Sequence, residues 1–172
     1  MDAITAITSR RVVRVFARKP VTLAQLKTII DAGRHAMSAR NLQPWQFVLV
    51  LDPATLETLG RLSTTGRFVG QAPAAVVVLK DRDNRRWADI DCAQAVQNMA
   101  SAAHALGLGT CWVGNFAADK IAELLAVPPR WSVFTVLPFG YADPGATRES
   151  RQLRPRSQTA HYERFGRNVP WQ

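Results

Sequence analysis

The chain has 172 residues, of which 47% are hydrophobic and 20% are charged. These values are typical of one globular domain over residues 1–172, and they exclude a disordered or fibrous chain. No apolar run is long enough to span a bilayer, and the first residues lack the basic and apolar segments of a signal peptide. We therefore expect a cytoplasmic protein.

The positive charge is concentrated at the two ends of the chain. Five basic residues and one acidic residue lie in residues 1–20, and six basic and two acidic residues lie in residues 145–172. Because a guanidinium binds phosphate or carboxylate through two parallel hydrogen bonds, the two ends could form a shared anion site. On charge alone, a solvated basic surface or basic ends that contact nucleic acid are simpler interpretations.

The cysteine and histidine residues do not form a metal-binding pattern. Cys92 and Cys111 are not a CxxC pair, and the three histidines lack the close spacing of zinc ligands. We therefore expect no metal site and two buried, reduced thiols.

Hydrophobic spacing predicts helices that alternate with strands. Thr22 is a suitable N-cap for an amphipathic helix, Pro53 opens another helix, and Gly107 can end a long helix that contains seven alanines and is expected to be central. Residues 62–71 are predicted to form a loop, and the first two strands are predicted to lie inside the sheet. Helices are predicted over residues 2–9, 23–33, 53–61, 88–106 and 118–125, and strands over residues 45–51, 73–80, 109–113 and 131–139.

The C-terminal region, residues 140–172, is rich in Pro, Gly and Arg and offers few core positions. Its apolar residues would be unusual in a solvated tail, so we predict that it packs, across a neighbouring subunit. These residues are Leu153, Tyr162, Phe165 and the segment 169–171.

Four segments carry a resemblance to a known family. They are Ser-Arg-Arg-Val-Val-Arg-Val-Phe (9–16), Ala-Met-Ser-Ala-Arg-Asn-Leu-Gln-Pro-Trp (36–45), Gly-Leu-Gly-Thr-Cys-Trp-Val-Gly-Asn-Phe (107–116) and Phe-Gly-Tyr-Ala (139–142), which precedes the Arg-rich tail. In this order and spacing they resemble the FMN-dependent nitroreductase family over nearly the whole chain.

The resemblance implies an α+β fold, a nitroreductase-like three-layer sandwich in which helices flank a mostly antiparallel central sheet. It also implies a homodimer with two FMN sites at the interface and with the C-terminal extension, residues 145–172, packed on the partner subunit. The implied activity is hydride transfer from NADH or NADPH, through flavin N5, to a nitroaromatic, quinone or similar electron-poor acceptor by a ping-pong mechanism.

The resemblance also implies which residues bind FMN. Arg10 and the tail arginines Arg151 or Arg154 would hold the phosphate, and Arg14 would lie by the pyrimidine edge of the ring, where a cation stabilises negative charge. Ser38 and Asn41 would reach the cofactor of the other subunit, and the backbone of Val113 and Gly114 would lie against the ring. The implied cofactor-binding residues are Arg10, Arg11, Val12, Arg14, Ser38, Asn41, Val113, Gly114, Arg151 and Arg154, with no catalytic side chain.

Two positions differ from the family's usual pattern. Met37-Ser38 replaces Pro-Ser, and Val12 replaces a serine, so a backbone contact would remain at position 12 but a side-chain hydrogen bond would not. The alternatives are a nitroreductase-fold protein that uses a different flavin-like cofactor or stores flavin, and a basic module that binds nucleic acid.

Overall fold

The helices and strands occur in the predicted order. The structure, a computed structural model, describes residues 1–84, 86–146 and 152–171. The helices are α1 (Ala3–Ser9), α2 (Leu23–Arg34), α3 (Pro53–Arg61), α4 (Ala88–Ala105) and α5 (Ala118–Leu124), and the strands are β1 (Trp45–Val50), β2 (Ala74–Asp81), β3 (Gly109–Thr110) and β4 (Trp131–Gly140).

The strands form one antiparallel sheet in the order β1-β2-β4-β3. Residues of β2 alternate between the two faces of this sheet, and each face is covered by helices. On one face, Val76 and Val78 pack with α2 and α4; on the other, Val77 and Leu79 pack with α3 and α5. The fold is therefore the α+β three-layer sandwich that the sequence predicted.

Local signals account for the helix ends. Thr22 and Gln25 form a capping box at the start of α2, and the Asp52 side chain accepts the Thr55 N–H at the start of α3. At the end of α4, the Leu108 N–H donates to the Ala103 carbonyl, and the Gly107 N–H to that of His104. This pair of hydrogen bonds needs a residue in the left-handed conformation, and Gly107 has a φ of 77°.

Helix α4 is central, as its alanines predicted. Ala95 and Ala103 are fully buried, and Met99 packs against Gly33 of α2, where a Cβ would approach the Met99 Cε. Small side chains allow α4 to lie close to both α2 and the sheet.

Helix α1 is joined to the last turn of α4. The Ser9 hydroxyl donates to the Thr5 carbonyl over 2.6 Å and lies 2.9 Å from His104 Nε2. Because the hydroxyl proton is used by Thr5, we infer that His104 Nε2–H is the donor to Ser9.

Two local predictions are wrong. Strand β1 has β2 as its only strand neighbour in the described residues, so it is an edge strand and not an inner one, and only two of its six residues are fully buried. An apolar run shows that a strand meets a core but does not show how many strands pair with it. Residues 62–71 are not all loop, because Arg67–Gln71 forms a 3-10 helix against α3.

The described part of the C-terminal extension leaves most of its apolar side chains exposed. Leu153, Phe165 and Trp171 are 74%, 93% and 60% exposed. The segment's ordered contacts are short-range, such as the bridge between His161 and Asn168. No helix within the described ranges is long and apolar enough to cross a membrane.

Replacing Gly107 with alanine should destabilise the fold. The added Cβ would meet no atom within 4 Å, so the cost comes from the left-handed backbone, and we expect a loss of about 1 kcal/mol in the free energy of unfolding. Urea unfolding at fixed protein concentration without added ligand measures it. The control is Gly114→Ala, which also meets open space but lacks a positive φ, and it should leave stability unchanged. Equal stability of both variants and the parent would contradict this account.

His104 should make the fold less stable in acid. Burial, and then the charges of Arg10 and Arg11, lower the pKa of His104 in the folded protein. The unfolded chain keeps the ordinary pKa of about 6.5, so as the pH falls it takes up the proton first, and the free energy of unfolding decreases. Urea unfolding between about pH 5 and 8 should show a smaller decrease for His104→Gln than for the parent protein. Identical pH profiles would exclude this role for His104.

Candidate functional site

The Arg-rich segment at residues 10–14 is fixed to the start of the 107–116 motif. The Val13 N–H donates to the Thr110 carbonyl over 3.1 Å, and Val12 and Thr110 form a parallel bridge. A Cβ on Gly109 would lie 2.2 Å from Val13 Cγ2, so this approach needs glycine. Two motifs from opposite halves of the sequence therefore meet.

The arginines of this segment have different surroundings. Arg11 donates to the Ser9 and Arg10 carbonyls at 3.0 and 3.1 Å, so it caps the end of α1. Arg10 is half-buried, and its Nε is a buried donor with no hydrogen-bond partner in the structure. A buried, unpaired guanidinium nitrogen is costly, and an anionic acceptor would satisfy it.

A cavity of about 460 Å³ opens beside this segment. Arg11, Val12 and Arg14 line it, together with His104 and Gly107–Gly109 at the end of α4. Cavities of this size hold small organic molecules. Two arginines, Arg11 and Arg14, line the cavity and favour an anionic group, whereas Arg10 lies next to Arg11 in the chain but is not one of its lining residues.

The Trp-Val-Gly turn continues from β3. Val113 is buried in the core beside α5 and pairs with Val136 of β4, with its N–H bonded to the Val136 carbonyl. Gly114, the next residue, is exposed, and a Cβ there would meet no atom of this chain within 4 Å. A flat group could therefore approach the backbone at Gly114.

The loop that holds Ser38 and Asn41 lies at the other end of α4. The Ala39 N–H donates to both oxygens of Asp91, which is in the first turn of α4. The Ser38 hydroxyl accepts the Gln43 N–H at 3.0 Å, and the Asn41 side chain lies on the exposed surface.

Helix α4 separates these two groups of residues. Asp91 contacts the Ser38 loop, and His104 contacts the end of α1 next to Arg10. Thirteen residues of α-helix separate Asp91 from His104, which corresponds to roughly 20 Å. One chain therefore joins the Arg10–Arg14 segment to the strand that leads into the Val113–Gly114 turn, whereas its Ser38 loop contacts the opposite end of α4.

Of the two tail arginines predicted to hold the phosphate, the structure describes only Arg154. Arg154 is exposed and does not line the cavity, and Arg151 lies outside the described residues. Both cysteines are buried, and burial raises the pKa of the Cys92 thiol to about 12. Within residues 1–84, 86–146 and 152–171, no group of three or more His, Cys, Asp or Glu side chains could hold a metal ion.

Two polar side chains next to the site, His104 and Asp91, were not among the predicted site residues. The signal for His104 was its place in the last turn of the alanine-rich helix, one turn before Gly107. The signal for Asp91 was an acidic residue in the first turn of an otherwise apolar helix. Neither signal indicates a partner, because both contacts join segments distant in sequence.

Comparisons with known proteins agree with the fold. The chain is 32% identical over 149 residues to a protein of Archaeoglobus fulgidus that carries the provisional name of an NADH dehydrogenase/NAD(P)H nitroreductase; the match covers 81% of this chain and 85% of that protein. An NADPH-flavin oxidoreductase of Vibrio harveyi is 26% identical, with 90% and 70% covered. The solved structure of an FMN-dependent nitroreductase from Clostridium difficile superposes with a TM-score of 0.83 at 28% identity, and covers 94% of this chain and 99% of that one.

The family model described as "Nitroreductase family" matches residues 7–141. This range includes the Arg-rich segment, the Ser38 loop and the Trp-Val-Gly turn. On the match to the family model and the similar fold, the chain belongs to the nitroreductase family.

Proposed function

We propose that the protein is an FMN-dependent oxidoreductase that takes hydride from NADH or NADPH and passes it to a nitroaromatic, quinone or similar electron-poor acceptor. The observation that carries this proposal is the bridge at Val12 and Thr110, which joins the segment that bears Arg10 and Arg14 to the strand that leads into the Val113–Gly114 turn. An anion-binding group next to an open backbone turn suits a cofactor with a phosphate at one end and a flat ring at the other. Relatives named as flavin or FMN enzymes support the same cofactor.

The residues present fit FMN. The buried Nε–H of Arg10 has no hydrogen-bond acceptor, and a phosphate oxygen would accept it. Arg11 and Arg14 add positive charge to the cavity. Arg11 serves mainly to cap α1, so it acts on the phosphate through its charge. Val12 offers backbone groups at this position, since its side chain has no polar atom.

The site is completed by a second copy of the chain. The Ser38 loop contacts α4 at Asp91, and the Arg10 group lies next to the other end of α4 at His104, roughly 20 Å away along the helix. We therefore assign the two groups that contact one cofactor to different subunits. Exposed apolar side chains on α1 and next to the cavity support such an interface: Ile4, Ile7, Val12 and Val15 are all about half exposed or more.

The C-terminal extension is placed on the partner subunit in this proposal. Its exposed Leu153, Phe165 and Trp171 need an apolar surface that their own chain does not supply. Arg151 and Arg154 lie in the same extension, so its docking would carry them towards a phosphate site. The half-buried outer edge of β1 is one surface that could receive an extended segment.

The chain contributes binding, orientation and charge to the reaction. Bound FMN supplies the hydride-accepting and hydride-donating atom, N5. The Gly114 backbone would hold the ring and offer its N–H to it, and Arg14 would supply a positive charge that stabilises negative charge on the ring. Hydride transfer itself needs no side-chain acid or base. In a ping-pong mechanism the nicotinamide would leave before the acceptor binds at the same face of the ring.

Replacing Arg10 with alanine should weaken FMN binding through the phosphate. Loss of a charge-assisted hydrogen bond of about 1.5–3 kcal/mol corresponds to a Kd about 10- to 100-fold higher. Riboflavin lacks the phosphate, so its Kd should be the same for the variant and the parent. Fluorescence titration of the flavin-free protein with each ligand measures both values.

The matched control for Arg10→Ala is Arg61→Ala. It removes the same charge from an exposed position on α3, where Arg61 pairs with Glu57, and should leave FMN binding unchanged. An equal loss of FMN affinity in both variants would show a general effect of net charge. An unchanged Kd in Arg10→Ala would contradict the phosphate assignment.

Replacing Gly114 with alanine should weaken flavin binding without lowering stability. The added methyl group meets no atom of this chain, so any loss of affinity comes from the ligand side of the turn. We expect the Kd values of FMN and riboflavin to rise equally, by about tenfold. Titration with both ligands measures this, and a loss limited to FMN would contradict the placement of the ring at Gly114.

A further inference from the structure

The Ser38 loop has an unusual backbone. Arg40, Asn41 and Gln43 have φ values of 53°, 56° and 48°, although none is glycine. The left-handed region is unfavourable for residues with a Cβ, and such residues persist only where the surrounding structure holds them. Three of the five non-glycine residues with positive φ in the described chain lie in this one loop. Strain concentrated in a loop that bears candidate binding residues suggests a functional conformation.

Asp91 is the buried group that holds this loop. It is 2% exposed, and its two carboxylate oxygens lie 3.3 and 3.2 Å from the Ala39 nitrogen. The next residue, Cys92, is buried, and its thiol lies 3.6 Å from the carbonyl of Pro44, the residue that follows the loop, so Asp91 lies where the loop meets the core. A carboxylate is tolerated there because the first turn of a helix favours negative charge.

Hydrogen bonds within the Ser38 loop also stabilise its conformation. The Ser38 hydroxyl accepts the Gln43 N–H, the Asn41 N–H donates to the Ser38 carbonyl over 2.9 Å, and the Gln43 amide donates to Asn41 Oδ1 over 3.2 Å. These bonds tie the loop to itself, whereas the Ala39 bond to Asp91 ties it to α4. Without Asp91, the loop would lose its anchor to the core at the residue next to Ser38.

We propose that Asp91 is a positioning residue for the cofactor site of the partner subunit, because its buried carboxylate holds the strained loop that presents Ser38 and Asn41 across the dimer interface. This inference rests on the proposed function and adds a residue that touches no cofactor itself. The loop anchored by α4 of one subunit thereby serves the Arg10 group of the other.

Mixed dimers test this arrangement. In a dimer of one Arg10→Ala subunit and one Asp91→Ala subunit, joined by co-expression with two affinity tags, one site combines an intact Arg10 with an intact loop. The other site carries both defects. We expect the homodimer of each variant to bind FMN with a Kd at least about tenfold higher than that of the unaltered protein. The mixed dimer should regain one tight site per dimer, and flavin titration measures both results.

If the loop acted on the site of its own subunit, the mixed dimer would have a different number of tight FMN sites. Each site of the mixed dimer would then carry one defect, and no tight site would return, which would overturn the proposal. If Asp91→Ala only destabilised the fold in general, the mixed dimer would likewise have no tight FMN site. The regained stoichiometry is therefore a readout that a purely structural role does not produce.

Two further variants keep the test interpretable if Asp91→Ala folds poorly. Asp91→Asn has nearly the same volume and retains one acceptor for the Ala39 N–H, so its loss of FMN affinity should be smaller than that of Asp91→Ala. Asp89→Ala is the matched control, because Asp89 is in the same helical turn but exposed and paired with Lys80. It should bind FMN like the parent.

Unchanged FMN affinity in both Asp91 variants would overturn the positioning role. A parent protein that binds no FMN would instead contradict the proposed function, and the inference would fail with it. The two failures are thus distinguished by the first titration, which uses the unaltered dimer.

Discussion

The hydrogen bond from the Val13 N–H to the Thr110 carbonyl joins the N-terminal arginines to the turn after β3. It forms only because Gly109 has no side chain at the point where Val13 crosses. All of the geometry proposed for the cofactor depends on this junction, since it places a cluster of guanidinium groups beside an open stretch of backbone. Neither segment could do so alone, because each has only one part of the site.

The length of α4 determines how the rest of the site is assembled. Its last turn holds α1 and the arginines through His104, and its first turn holds the Ser38 loop through Asp91. A rigid helix between them keeps these groups apart within one chain. In the proposed dimer, the same helix would therefore support the cofactor site of its own subunit at one end and that of the partner subunit at the other end.

Sequence patterns predicted the order of the α-helices and strands because their signals are local. The Thr22 cap, Pro53 and Gly107 each fix a boundary within a few residues. The edge position of β1 and the contact of Asp91 with Ala39 depend on pairings between distant segments, which spacing does not encode. For the candidate site, the arginines and the Trp-Val-Gly turn were identified through a family resemblance. Asp91 and His104 were missed because the sequence around a single acidic or histidine residue on a helix does not indicate which distant residue it contacts.

Anaerobic reduction of the FMN-loaded dimer tests the central claim most directly. NADH and then NADPH are added without any acceptor, and the visible flavin absorbance is followed before a quinone or nitroaromatic is supplied. The account predicts that at least one nicotinamide bleaches the absorbance and that the acceptor restores it, because a ping-pong enzyme completes each half-reaction alone. Bound flavin that neither nicotinamide bleaches would contradict the account and would indicate a protein that stores flavin.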